Sequence, residues 1–312
     1  MKKGILVLTA LLLTVALTAC GGNSGGSGGS KEGAKTISIL TPYLSSVTTN
    51  EMVESLKKQA ADRGWKANVI DTKSDMGQLA SRMEDVISSK TSAIVLVSTD
   101  PNQLKSQIQR AKDKNIPVFG ADSGYIDGMV MNATSDNKEM SKLISEHLFQ
   151  TIGDQGKLVI LTHRPHPGVL ARTVQLDELL KGKQNLSVVT EQQVEVPGPI
   201  ENARKQMESL LLSNKAEGAI TAVWAGWDEA AIGAAQAIEA AGRKDIVVTG
   251  IDGNSQAVDM IKKGSPLVAT VKQNFTGMTE IVVKQMELVF DGKPAEGTEL
   301  YAPASLITKD NA

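Results

Sequence analysis

From Thr36 to Thr308 short apolar runs alternate with amphipathic stretches, and that alternation limits the possible folds more than any other feature of the chain. A short apolar run bounded by turn formers reads as a buried strand, whereas apolar residues at i, i+3 and i+4 read as a helix with one face on a core. The runs predicted as strands are Thr36–Leu40, Ala67–Asp71, Ala93–Val97, Pro117–Gly120, Met129–Asn132, Lys157–Thr162, Ser187–Thr190, Gly218–Val223, Ile246–Gly250, Leu267–Val271 and Ala304–Thr308. Among the helical patterns, Met76, Leu79, Ala80, Met83, Val86 and Ile87 fall on one face. Gly64, Gly242 and Gly264-Ser265-Pro266 stand where helices should stop. Methionines at such positions are read as core filler. The expected class is α/β, with mostly parallel, doubly wound sheets.

The N-terminus predicts the compartment. Lys2 and Lys3 precede an apolar run from Ile5 to Leu17, shorter than the roughly 20 residues of a membrane-spanning helix, and Leu17-Thr18-Ala19-Cys20 closes it. Cys20 is the single cysteine of the chain, so no internal disulfide can form. Its setting resembles the lipobox of bacterial lipoproteins, in which the cysteine is acylated and becomes the new N-terminus. Residues 1–20 are therefore expected to be a lipoprotein signal peptide and 21–35 a flexible Gly/Ser linker. The rest of the chain exceeds the size at which one core usually keeps growing, which favours two lobes. A net charge of −2 with interspersed signs offers no basic stripe for nucleic acid.

In open α/β sheets a ligand sits beyond the carboxyl ends of the strands. The loops predicted there carry Thr41 to Asn50, Asp100, Asp122-Ser123, Thr162-His163-Arg164-Pro165-His166, Trp224 to Asp228, Asp252-Gly253-Asn254 and Gln273-Asn274. Carboxylates, amides, imidazoles and a guanidinium can fork hydrogen bonds to adjacent hydroxyls, and indoles can cover a ring face. Sugars and polyols require that inventory.

Read in order, these segments resemble the ribose and galactose/glucose branch of the periplasmic binding proteins. The landmarks are Ile37 to Leu40 followed by Asn50 and Ser55-Leu56-Lys57; Phe119-Gly120-Ala121-Asp122; Ala133 to Asn137; His166-Pro167 with Arg172 six residues after the histidine; Asp228 with Ala230 to Ala234; Gly250-Ile251-Asp252-Gly253; and Ala269 to Gln273. The resemblance implies two Rossmann-like lobes joined by three hinge crossings, near Asp136, Asn274 and Tyr301-Ala302. It implies a first lobe of 36–135 plus 274–301, and a second of 136–273 plus 302–312. Asn50 and Asp122 would hold hydroxyls from the first lobe, and His166, Arg172, Asp252 and Gln273 from the second. Each has a structural competitor: Asp252 before Gly253 also suits a turn or helix cap, Arg172 a solvated helix face, and His166 a loop-shaping role, with His163 and Arg164 rivals for its place.

Several positions depart from the family pattern. Trp227 precedes Asp228 where an asparagine is usual, Met52 and Val53 replace the paired aromatics of ribose receptors, and Val196-Pro197-Gly198-Pro199 stands where galactose/glucose receptors carry a stacking tryptophan. Gly168 and Ser123 replace an acidic and a basic partner. The candidate ligand set is thus Asn50, Met52, Asp122, Ser123, His163, Arg164, His166, Arg172, Trp227, Asp252 and Gln273, with Cys20 for lipidation. Trp224 is read as core and His147 as structural.

The implied function is capture of a monosaccharide or polyol for an ABC transporter permease, by a monomer anchored to the outer face of the membrane through Cys20. No cofactor or metal is expected. A sensor of a small signal molecule, including an amine or furanosyl compound, would use the same pocket. An enzyme is disfavoured, because no Gly-x-Ser-x-Gly, His-Glu-x-x-His or phosphate-cradling glycine loop is present. A repressor is disfavoured because the signal segment and tether occupy the place of a DNA-binding head.

Overall fold

The structure, a computed structural model, describes residues 34–312. The predicted signal segment, Cys20 and nearly all of the linker lie outside the described residues. The chain first lays down β1 (Thr36–Thr41), α1 (Val47–Asp62), β2 (Lys66–Asp71), α2 (Met76–Ser88), β3 (Ala93–Val97), α3 (Lys105–Asp113), β4 (Val118–Ala121) and β5 (Met131–Thr134). It continues with α4 (Asn137–Thr151), β6 (Gly156–Thr162), α5 (Pro167–Leu180), β7 (Leu186–Gln193), α6 (Pro199–Ser213), β8 (Ala222–Ala225), α7 (Asp228–Ala240), β9 (Val247–Asp252), α8 (Ser255–Lys263) and β10 (Leu267–Lys272). Then follow α9 (Phe275–Phe290), β11 (Glu299–Tyr301) and β12 (Ser305–Thr308).

These strands form two six-stranded sheets, in the orders β2-β1-β3-β4-β5-β11 and β7-β6-β8-β9-β10-β12. The first is parallel throughout, and the second is parallel except for the last strand, which pairs antiparallel with β10. Both sheets start from their second strand and grow in opposite directions, the doubly wound pattern with its switch point beside β1 and β6. The chain passes between sheets three times: from β5 to α4, from β10 to α9, and from β11 to β12.

Strand alternation divides the first-lobe core into two layers. Ile37, Ile39, Val95 and Val97 face a cluster with α1 and α9, while Leu40, Ile94 and Leu96 face one with α2 and α3. Each buried aliphatic side chain contributes roughly 1.5–3 kcal/mol by leaving water. On α2 the predicted stripe is as expected: Leu79, Met83, Val86 and Ile87 are buried, and Met76 and Ala80 pack against the same cluster. Gly264 ends α8 with φ 72° just after Lys262 and Lys263, whose charges suit the negative helix end.

Two segments differ most from expectation. β8 begins at Ala222 rather than Gly218, because Gly218 adopts φ 73° and its N–H donates to the Asp245 carboxylate, closing a turn. β11 carries no apolar run; its three residues become a strand only by pairing with β5.

Candidate ligand site

The carboxyl ends of both sheets meet at one cavity. The first lobe contributes Tyr43, Ser46, Thr48 and Thr49 from the β1–α1 loop and the first turn of α1, Ser98 after β3, and Asp122 after β4. The second contributes His163 and His166 after β6, Val169 and Arg172 from α5, Val196 after β7, Trp227 and Glu229 around the start of α7, and Asp252 ending β9. Ser98 (φ 50°), Asp122 (φ 49°) and Asp252 (φ 144°) adopt backbone angles uncommon for residues with a side chain. Such angles cost on the order of 1–3 kcal/mol, and here they turn polar groups off the strand line toward the cavity.

Arg172 anchors the second-lobe wall. Its side chain is 2% exposed; Nε donates to Asn137 Oδ1 at 2.7 Å, Nη1 donates to the Gly226 carbonyl at 2.9 Å, and Nη1 lies 3.6 Å from Asp252 Oδ1. The Gln273 amide donates to the same Asp252 oxygen at 2.8 Å. Asp228 braces the wall from behind. Its Oδ2 accepts from the Asn254 N–H at 2.8 Å and its Oδ1 from the Thr270 hydroxyl at 2.7 Å, tying the start of α7 to the loop after β9 and to β10. Gly250 is required beneath it, because a Cβ there would collide with the Asp228 carboxylate. Gly253 is required for a second reason: with φ 73°, an added Cβ would lie 2.5 Å from Lys272 Cγ.

Burial governs the protonation of the site. It pushes the Asp122 carboxyl up to about 6, against the pull of Arg172 and of the Thr134 hydroxyl. Asp252 and Asp228 are also raised by burial, and the Asp252 charge raises Asp228 further. His166 is driven down to about 3 by burial and then by the Arg172 charge, and burial lowers His163 as well. Both imidazoles are therefore neutral at pH 7. Tyr43 stands edge-on to His163 with 6.2 Å between ring centroids and lies 6.3 Å from His166, while His163 meets Trp227 at 6.2 Å.

Glu229 reaches directly across the cavity. Glu229 Oε2, in the second lobe, accepts from the Ser46 hydroxyl of the first at 2.9 Å. Burial raises the Glu229 carboxyl, while hydrogen bonds from Ser46, the Val47 N–H and Trp227 act the other way. Ser46 is the N-cap residue of α1 but makes no side-chain capping bond of its own. The carboxylate thus meets the positive end of a helix in the opposite lobe.

Of the candidates read from sequence, Asp122, His163, His166, Arg172, Trp227 and Asp252 line the cavity. Gln273 stands behind Asp252 and orients it. Four others require correction. Met52 is fully buried in the first-lobe core, on the same face of α1 as Val53 and Leu56. Asn50 is exposed on α1, outside the cavity lining; the cavity receives only the start of that helix. Ser123 is turned inward, its hydroxyl donating to the Leu96 carbonyl and accepting from the Thr99 N–H, both at 3.0 Å. Arg164 points outward and pairs with Glu191 at 2.6 Å and Asp177 at 3.4 Å. Trp224 is core, as read, with its indole N–H donating to Ser145 at 3.1 Å.

Sequence reasoning missed Ser98 and Glu229 as site residues. Both sit at positions the strand-end rule marks, directly after β3 and in the first turn of α7, and attention to strand ends alone could have found them. Among the described residues, no group of three or more His, Cys, Asp or Glu side chains is placed to hold a metal ion.

Known proteins agree with this architecture. Residues 37–294 match the family model of the periplasmic binding protein domain. The ribose import binding protein of Bacillus subtilis (strain 168) is 29% identical over 317 residues, covering 99% of this chain and 100% of the relative. An ABC transporter solute binding protein from Agrobacterium vitis, solved with bound allitol, superposes with a TM-score of 0.84 at 26% identity, covering 88% of this chain and 96% of that one. A second, from Bacillus halodurans C-125 with bound myo-inositol, gives a TM-score of 0.81 at 25% identity, covering 92% of this chain and 97% of that one. The chain belongs to the periplasmic binding protein family and has its two-lobed, type I fold.

Proposed function

We propose that this protein is the substrate receptor of an ABC importer, capturing a neutral monosaccharide or polyol between its lobes and presenting it to a membrane permease. The observation that carries the reading is the pairing of Asp122 on one lobe with the Arg172–Asp252–Gln273 group on the other, all buried around one cavity. Adjacent hydroxyls both donate and accept, so a polyol can satisfy carboxylates, guanidinium and imidazoles at once. An analogue missing one hydroxyl leaves a buried group unpaired, which is how such a site discriminates. The relatives named above carry ribose, allitol and myo-inositol in their descriptions.

Capture would proceed by rotation of the lobes about the three chain crossings near Asp136, Asn274 and Tyr301-Ala302. A ligand stabilises the closed arrangement only through contacts it makes there and lacks when the lobes are apart. The signal segment and the lone Cys20 support lipid anchoring outside the cell membrane, and the Gly/Ser stretch supports a tether that lets a monomer reach the permease.

A thermal-shift screen against pentoses, hexoses, alditols, cyclitols and amines tests the reading, because a ligand that binds only the folded state raises the melting temperature. A shift with one polyol, lost in Asp252→Ala, is the expected result. A shift with amines alone would overturn the carbohydrate assignment while leaving the receptor role in place.

A further inference from the structure

The two cavity histidines, three residues apart, are bonded in opposite senses. His163 Nδ1 lies 2.9 Å from the Val194 carbonyl, which can only accept, so the proton of this neutral ring sits on Nδ1 and Nε2 keeps its lone pair. That Nε2 is buried and has no hydrogen-bond partner among the described residues. His166 is the reverse case. As the N-cap of α5, its Nδ1 accepts from the backbone N–H groups of Gly168 and Val169 at 3.2 and 3.4 Å, which leaves the proton on Nε2. Nε2 then faces Asp122 Oδ2 at 3.9 Å, too far for a direct hydrogen bond. A hydroxyl oxygen placed to one side of that line can bond to both, accepting from the imidazole and donating to the carboxylate.

We propose that the backbone locks His163 and His166 in opposite tautomers, and that a bound polyol is read by this pair through two hydroxyls with opposite duties. One donates to His163 Nε2, and the other relays from His166 Nε2 to Asp122. The hydroxyl assignment rests on the polyol reading above; the tautomers do not. A methoxy or deoxy group in place of the first hydroxyl leaves His163 Nε2 without a donor, so the pair sets specificity at one defined position of the ligand.

The chain holds only three histidines, so the full-length protein labelled with 15N-histidine gives three imidazoles to assign, and His147→Gln removes the one outside the site. Long-range proton–nitrogen correlation at pH 7 is expected to show His163 protonated on Nδ1 and His166 on Nε2. The opposite tautomer at either ring, or a doubly protonated ring, overturns the proposal. Calorimetry with ribose, allitol and myo-inositol then tests the hydroxyl contact. For whichever binds, His163→Phe is expected to lose about tenfold to a hundredfold in affinity, and His163→Gln, which keeps an acceptor, less. Equal affinity in His163→Phe and the parent refutes the contact. If the tautomers are as stated and no sugar or polyol of the thermal-shift screen binds, the polyol reading fails while the locked pair stands.

Discussion

The two lobes share one sheet order yet face the cavity with different chemistry. The first offers mostly neutral hydroxyls, from Tyr43, Ser46, Thr48, Thr49 and Ser98, and a single carboxylate, Asp122. The second offers a guanidinium, two imidazoles, an indole and two carboxylates. The second wall is also internally bonded through Arg172, Asn137, Gly226, Asp252 and Gln273, whereas Asp122 has one long bond, from Thr134 at 3.3 Å. The physical lesson is that a network bonded before the ligand arrives makes binding and folding share residues, whereas a sparsely bonded wall can change affinity with little effect on stability.

The strongest way to break this contrast is Arg172→Ala. It leaves Asp252 without its buried counter-charge, and removing one partner of a buried pair costs about 3–5 kcal/mol. Denaturant unfolding should show that loss, together with a fall in ligand affinity of more than about a hundredfold. Retained stability would show that the second wall is not the preorganised one.

Asp122→Asn should separate the two properties. Affinity falls by about tenfold or more, yet stability at neutral pH holds or rises. The sign follows from linkage. A carboxyl raised to about 6 binds its proton more tightly folded than unfolded, so its contribution to stability declines as pH rises from about 4 to about 6. His166, lowered to about 3, acts oppositely: its contribution is full above about 6.5 and is lost as pH falls toward 3. Melting temperatures from pH 4 to 7 should therefore show Asp122→Asn gaining on the parent as pH rises, and His166→Gln gaining as it falls. The same slope for both variants would contradict these environments.

Glu229→Ala sharpens the comparison at the contact between lobes. Its bond to Ser46 joins the two lobes, so under the proposed lobe rotation the variant should release every ligand faster, by about tenfold, without reordering preference among ligands. Stopped-flow dissociation reads this; an unchanged off-rate would show that the contact contributes nothing to closure. The smallest effect belongs to Arg164→Ala, which should cost under about 1 kcal/mol and leave affinity unchanged, because its ion pairs with Glu191 and Asp177 are partly exposed to solvent and lie outside the cavity.

Arg164 and Arg172 also mark the boundary of what was legible. Arg164 lies in the loop after β6 and Arg172 within α5, and nothing in their neighbours' identities says which guanidinium turns inward. Helical phase decides it: Arg172 lies on the face of α5 that packs against α4, where Asn137 and the Ser141 hydroxyl meet it. The same phase argument, applied to α1, would have placed Met52 in the core beside Val53 and Leu56. The strand-end rule, by contrast, found Asp122, His163, His166, Trp227 and Asp252 without any coordinates.

By itself the sequence determined the fold class, the alternation of strands and helices, the helix stops and the polar strand ends, because each depends on residues within a few positions of one another. Only the tertiary structure decided which of those polar groups share one cavity. Glu229 meets Ser46 across 183 positions, the Val194 carbonyl sets the His163 tautomer across 31, and β11 is a strand only because β5 lies beside it. Such contacts leave no local periodicity, since what selects the partners is the burial of a polar group that must find another wherever the chain brings one.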